Sequence, residues 1–323
     1  MSLCAEFISG CFRFLLRSLK MFGSNASPII LHSAFSILHY NCTQLLKGMI
    51  ILSNTQEALY TNKIFLCGAL PLLKTIVNDV PSLKKKFENV HCIYQVSCLD
   101  PDAPEGKWAT HFMVNGDEWL VHANKVAYRV KKQKFVELEF KSVETMNAFF
   151  KGKIGPATLP KMRGLNFAYE FGVFMMALLK MANLLGLEAP PEKEEDKRLL
   201  VKCYFYLLSS GISTLNKMGH PEIHDWTSKS PDRVYAWKVD GEDSVSAFIR
   251  IKAGKSKAGR GEYKRALPFF TMRFNNLDSA LGILMSIDDM IESVQQGKLI
   301  MDGAPEFGAQ IGGYMMYIGS LAK

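Results

Sequence analysis

The chain has 323 residues, 48% hydrophobic and 22% charged, with a formal net charge of +8. That composition excludes general disorder, and the length allows two domains of about 100–200 residues with room for an appendage. Seven cysteines are scattered without a C-x-x-C pair, which excludes a disulfide framework and fits reduced thiols in a cytoplasmic protein. The positive charge suits an anionic partner, but it is spread along the chain. Its densest run, Lys252, Lys255, Lys257, Arg260, Lys264 and Arg265, carries no nucleic-acid-binding fingerprint and reads as a solvated loop, so no nucleic acid is expected.

Residues 1–58 contain only two acids, Glu6 and Glu57. Phe7, Ile8, Cys11, Phe12, Leu15, Leu16, Leu19 and Phe22 recur at helical spacing, interrupted by Arg13, Arg17 and Lys20. A spanning helix needs about 20 mostly apolar residues, so the segment is too interrupted to cross a bilayer. It fits a membrane-surface helix, an organelle-targeting peptide, or an extension packed on the body, with Met49 as an alternative start.

Beyond it the chain repeats itself. Lys63-Ile64-Phe65-Leu66 matches Lys202-Cys203-Tyr204-Phe205, and Pro81 matches Pro221. Ile93–Val96 matches Val234–Trp237, and Val136–Phe140 matches Phe270–Phe274. Lys161–Gly164 matches Ile300–Gly303, and Phe174-Met175-Met176 matches Tyr314-Met315-Met316. The order is kept at a near-constant offset, which predicts two modules, 59–189 and 198–323, joined by a Pro- and Glu-rich linker, 190–197.

Each module opens with an amphipathic helix: Ile64, Leu66, Leu70, Leu73, Ile76 and Val77 in one, Leu200, Tyr204, Leu207, Leu208, Ile212 and Leu215 in the other. Strands are predicted at 93–99, 111–115, 118–122 and 135–140, then at 234–239, 245–252 and 269–274, with Asn115-Gly116 as a hairpin turn. Ser142 and Asn276 are candidate N-caps of the helices that follow. The terminal helices, 167–185 and 307–321, are apolar nearly all round and must be buried or face a greasy cavity.

The run from Phe140 through Gly152-Lys153 to Leu159–Gly164, and Gly297-Lys298-Leu299-Ile300-Met301-Asp302-Gly303 in the second copy, resembles the sterol carrier, or non-specific lipid-transfer, family. The resemblance implies an α+β fold, two repeated modules that each carry a mostly antiparallel five-stranded sheet covered by helices. It implies a tunnel for a fatty acid, acyl-CoA or sterol-like lipid, no chemistry and no cofactor. The candidate lining residues are Phe149, Phe150, Met162, Phe171, Phe174, Met175 and Leu178 in the first copy. In the second they are Met290, Met301, Phe307, Ile311, Tyr314, Met315 and Ile318. The glycines of the second terminal helix predict closer packing and unequal binding by the two copies.

A second reading is a tandem scaffold for a protein partner. Signatures of catalysis or metal binding are weak. His220 and His224 lie four apart, but Pro221 interrupts them and no further ligands stand nearby. Gly254-Lys255-Ser256 imitates a phosphate loop but lacks its earlier glycine, and Gly259-Arg260-Gly261 reads as a turn.

Overall fold

The structure is a computed structural model that describes residues 54–322. The expectations for the basic N-terminal segment therefore fall almost wholly outside the described residues.

The first predicted helix is interrupted. Helix α1 (Asn54–Ile64) runs into a π-helical turn (Phe65–Ala69), and α2 (Leu72–Asp79) restarts after Pro71. Proline lacks the N–H that would continue the ladder, so the restart follows from sequence. The apolar stripe survives, and Ile64, Leu66, Leu70, Leu73, Ile76 and Val77 are all buried. Helix α3 (Pro81–Phe87) places its proline in the first turn, where a missing N–H costs nothing.

The first sheet comprises β1 (His91–Leu99), β2 (Lys107–Asn115), β3 (Glu118–His122), β4 (Phe135–Phe140) and β5 (Lys161–Arg163), in the order β3-β2-β1-β4-β5. Helix α4 (Val143–Phe150) precedes β5 and is capped by Ser142, which exchanges hydrogen bonds with Thr145. Helix α5 (Ala168–Leu185) follows β5. The second half begins with α6 (Glu194–Lys217) and α7 (Pro221–Lys229). Its strands are β6 (Arg233–Val239), β7 (Ser246–Lys252), β8 (Lys255–Arg260), β9 (Phe270–Phe274) and β10 (Leu299–Asp302), in the order β10-β9-β6-β7-β8. Helices α8 (Leu277–Leu284) and α9 (Met290–Gln295) precede β10, and α10 (Pro305–Ala322) ends the chain.

Both sheets are mixed, which refines the mostly antiparallel expectation. The first strand pairs in parallel with the fourth, β1 with β4 and β6 with β9, while the remaining neighbours pair antiparallel.

Two sequence expectations are corrected. The basic run is not a solvated loop at its centre. Lys255–Arg260 forms edge strand β8, joined to β7 by Ala253-Gly254, both at positive φ. Gly259 lies inside that strand against the Phe248 ring, not in a turn. Arg260 crosses the molecule and donates to Thr75 Oγ1 and the Pro71 carbonyl. The second correction concerns α5. Its composition predicts that it is buried or faces a greasy cavity, yet Tyr169, Met176 and Leu179 are exposed along one face while Val173, Phe174, Ala177 and Met181 are buried. By length and composition α5 is also apolar enough to cross a membrane.

Helix α6 lies against α1, α2 and the π-helical turn of the first half as well as β7, β8 and α8 of the second. Gly68 faces Leu207, Gly211 faces Ile318, and Lys202 pairs with Asp79. The outer face of the first sheet holds a buried polar network. Glu137 accepts from Gln95 Nε2 at 2.7 Å, Ser97 Oγ at 2.8 Å and Lys107 Nζ at 2.8 Å, and Arg163 donates to Glu139 at 2.7 Å.

Candidate functional site

Alternation along β6 sets one row of side chains, Arg233, Tyr235, Trp237 and Val239, toward the helices. Tyr235 is 1% exposed, and its hydroxyl has no hydrogen-bond partner among the described residues. Its ring is enclosed by Trp226 of α7, Phe269 and Phe270 around the start of β9, and Phe307 of α10, with centroids 5.2–6.4 Å away. One step outward, the Arg233 guanidinium lies 3.9 Å from the Phe269 centroid and 5.2 Å from that of Phe307. Among the described residues it has no carboxylate partner. One step inward, Trp237 Nε1 donates to Met315 Sδ at 3.4 Å.

The underside of α10 explains why methionine gathers here. Gly308 leaves room for Met301, and Gly312 leaves room for Met290, so a Cβ at either glycine would press on a thioether. Unbranched methionines repack at low cost and fill irregular apolar space. The seam between α10 and the second sheet thus runs from a cation, past an unsatisfied hydroxyl, into aromatic rings and flexible thioethers.

Five of the seven candidates of the second half, Met290, Met301, Phe307, Tyr314 and Met315, line this seam; burial raises the phenol pKa of Tyr314, which packs on Trp226. Ile311 is buried on α10, and Ile318 is turned to Gly211 on α6. The candidates of the first half do not converge. Phe150 stacks on Phe65, and Phe149 packs on Phe140. Phe174 stacks on Tyr94 at 4.5 Å and 14°, and Leu178 is buried. Phe171 and Met175 are half-buried, and Met162 is exposed at the sheet edge. Arg233, Tyr235, Trp226 and Phe269 were not foreseen as site residues. Tyr235 stands in the repeat match, but nothing local distinguishes a satisfied from an orphaned phenol.

His220 is buried between the rings of Tyr60 and Tyr317, and burial lowers its pKa to about 4. His224 Nδ1 lies 3.2 Å from Asn216 Oδ1, so the two histidines serve different neighbours. Burial pushes the thiols of Cys92 and Cys203 up to about 12 and that of Cys98 to about 11. Such thiols stay protonated at neutral pH and are poor nucleophiles.

No family model and no curated protein matches the chain. Solved structures similar to parts of it include a ubiquinone synthesis protein titled UbiJ-SCP2, at 18% identity and TM-score 0.24, covering 36% of this chain and 96% of that one. A Thermus thermophilus protein titled as possibly a sterol carrier protein matches at 14% identity and TM-score 0.26, covering 36% of this chain and 85% of that one. The inverting sec-alkylsulfatase Pisa1 from Pseudomonas sp. matches at 11% identity and TM-score 0.21, covering 53% of this chain and 32% of the enzyme.

Proposed function

We propose that this protein is a non-catalytic cytoplasmic binder or carrier of an apolar ligand, held in the seam between α10 and the second sheet. We read its two halves as copies of one sterol-carrier-like module, with the second as the binding copy. The observation that carries the reading is the buried, unpartnered Tyr235 hydroxyl beneath Arg233. A buried hydroxyl without a partner costs about 1–3 kcal/mol, which a ligand head group would recover. Each buried methylene of an alkyl chain adds about 0.8 kcal/mol, so a long chain needs little else. The unpaired guanidinium at the mouth favours a carboxylate head, and so a fatty acid over a sterol. The protonated, buried thiols support the non-catalytic reading.

The test is native mass spectrometry of gently purified protein, with displacement of a fluorescent fatty acid at micromolar protein. A retained adduct of lipid mass is expected. Tyr235→Phe removes one hydrogen bond and weakens binding about 5–10-fold. Arg233→Ala weakens a fatty acid more than its methyl ester. A bare chain with no displacement overturns the reading and favours the scaffold, for which the exposed row Tyr169, Met176 and Leu179 on α5 offers a docking face.

A further inference from the structure

The topology of the first half brings three segments to one end of its sheet. Strands β1 and β4 are parallel, so the turn after α3 and the loop before β4 both enter at that end. Strand β5 runs antiparallel to β4, so its exit, and hence the start of α5, lies there too. The first turn of α5 ties the segments together. Tyr169 Oη donates to the Lys86 carbonyl at 2.8 Å, and Glu170 accepts from Lys134 Nζ.

Six exposed cations meet at this end: Lys84, Lys85 and Lys86 from α3, and Arg129, Lys131 and Lys132 from the loop. None has a carboxylate partner among the described residues. Residues 129–134 and Phe167 enclose an open pocket of about 590 Å³, with no acid in its lining. Around it stand apolar side chains that a purely aqueous surface does not explain: Val130 at 57% exposure, Leu165 at 58% and Tyr169 at 58%. Of the acids of this end, Glu170 is held by Lys134, Glu88 follows the α3 lysines with its carbonyl against Gly116, and Asp117 and Glu118 sit on the β2–β3 hairpin, on the far side of the sheet order from β5.

We propose that this end of the first half is a docking surface for an anionic lipid bilayer. The pocket takes a lipid phosphate, and Val130, Leu165 and Tyr169 enter the interfacial layer. Cations near an anionic membrane each raise affinity about 5-fold, and short apolar side chains add burial. Aliphatic Val130 and Leu165 favour lipid over nucleic acid, whose bases stack on aromatic rings. The surface lies in the first half, apart from the seam assigned to the apolar ligand, so its test does not depend on that ligand.

The experiment uses the full chain with vesicles of phosphatidylcholine alone and of phosphatidylcholine with phosphatidylserine, read by co-sedimentation. Binding only to the anionic vesicles, weakening with salt, is expected. The triple variant Arg129→Glu, Lys131→Glu, Lys132→Glu loses about 100-fold in affinity, and Val130→Ser with Leu165→Ser about 10-fold. All five positions are exposed, so unchanged circular dichroism and melting separate this loss from misfolding. Equal binding to both vesicle types overturns the proposal, as does full binding by the triple variant, which would place the contact elsewhere on the chain. So does displacement by inorganic phosphate at matched phosphate, which would leave a soluble anion site, or tight heparin binding without vesicle binding.

Discussion

Tyr94 and Tyr235 occupy the same place in their sheets, on the central strand and facing the helices, and both are essentially unexposed. Tyr94 is closed off. Its hydroxyl donates to the Glu170 carbonyl at 3.1 Å, and Phe174 lies flat on its ring. Tyr235 has no partner for its hydroxyl among the described residues, and the facing Phe307 sits tilted at 6.2 Å. The difference is one of helix content. The first terminal helix sets a phenylalanine over the ring and a carbonyl within reach, while the second sets glycines that admit methionines. The unsatisfied phenol thus lies in the half to which the ligand is proposed to bind.

The strongest way to break this comparison is to truncate the two facing rings. Phe174→Ala empties a packed position and is expected to cost about 3–5 kcal/mol, whereas Phe307→Ala, on a half-buried side chain, costs about half that or less. Urea denaturation gives both numbers, and equal losses would mean the second seam is as tightly filled as the first.

The outer faces offer a second contrast. Glu137→Ala removes the acceptor that Gln95, Ser97 and Lys107 share in a buried network, leaving Lys107 only Glu139, and is expected to cost about 3 kcal/mol. Arg273, which pairs with Asp240 and Asp302 on the outside of the second sheet, contributes about 1 kcal/mol or less. Equal urea midpoints for Glu137→Ala and Arg273→Ala would contradict the contrast.

His220 sharpens the comparison at the boundary of the halves. Its folded pKa near 4 lies below the ordinary 6.5, so the unfolded chain takes up the proton first as pH falls. No penalty acts above pH 6.5. Between 6.5 and 4 stability declines by about 3 kcal/mol, and below 4 this contribution levels off. His220→Leu should flatten that part of the pH profile. A variant whose urea midpoint falls between pH 6.5 and 4 as steeply as the parent's would assign the acid sensitivity elsewhere.

The smallest effect tests the tyrosines directly. Tyr94→Phe loses a hydrogen bond and about 1 kcal/mol, while Tyr235→Phe is neutral or stabilising because it removes an unsatisfied group. Melting temperatures that fall alike would show that Tyr235 finds a partner in solution.

Much of the fold is legible in sequence for plain reasons. Strands at 118–122 and 135–140 are found at their true ends because alternation and turn residues agree there. Strand β8 was missed because KSKAGR has no β-branched residue, and its partner supplies the apolar half of the pair. The α5 expectation failed because composition counts apolar residues without knowing which side the sheet covers. Within the site, Met301 could be named from the Gly297–Gly303 run and Phe307 from its helical context. Tyr235 and Arg233 could not, since what sets them apart is a missing partner, a property of the neighbours.

The central position of α6 has a consequence for biosynthesis. It belongs by sequence to the second half, yet its residues cover the π-helical turn and α2 of the first. When the first half leaves the ribosome, the flank around Gly68 stays bare until Lys217 has emerged. The two halves are thereby expected to fold together, and a cut at Pro190-Pro191 to leave each fragment lacking a wall.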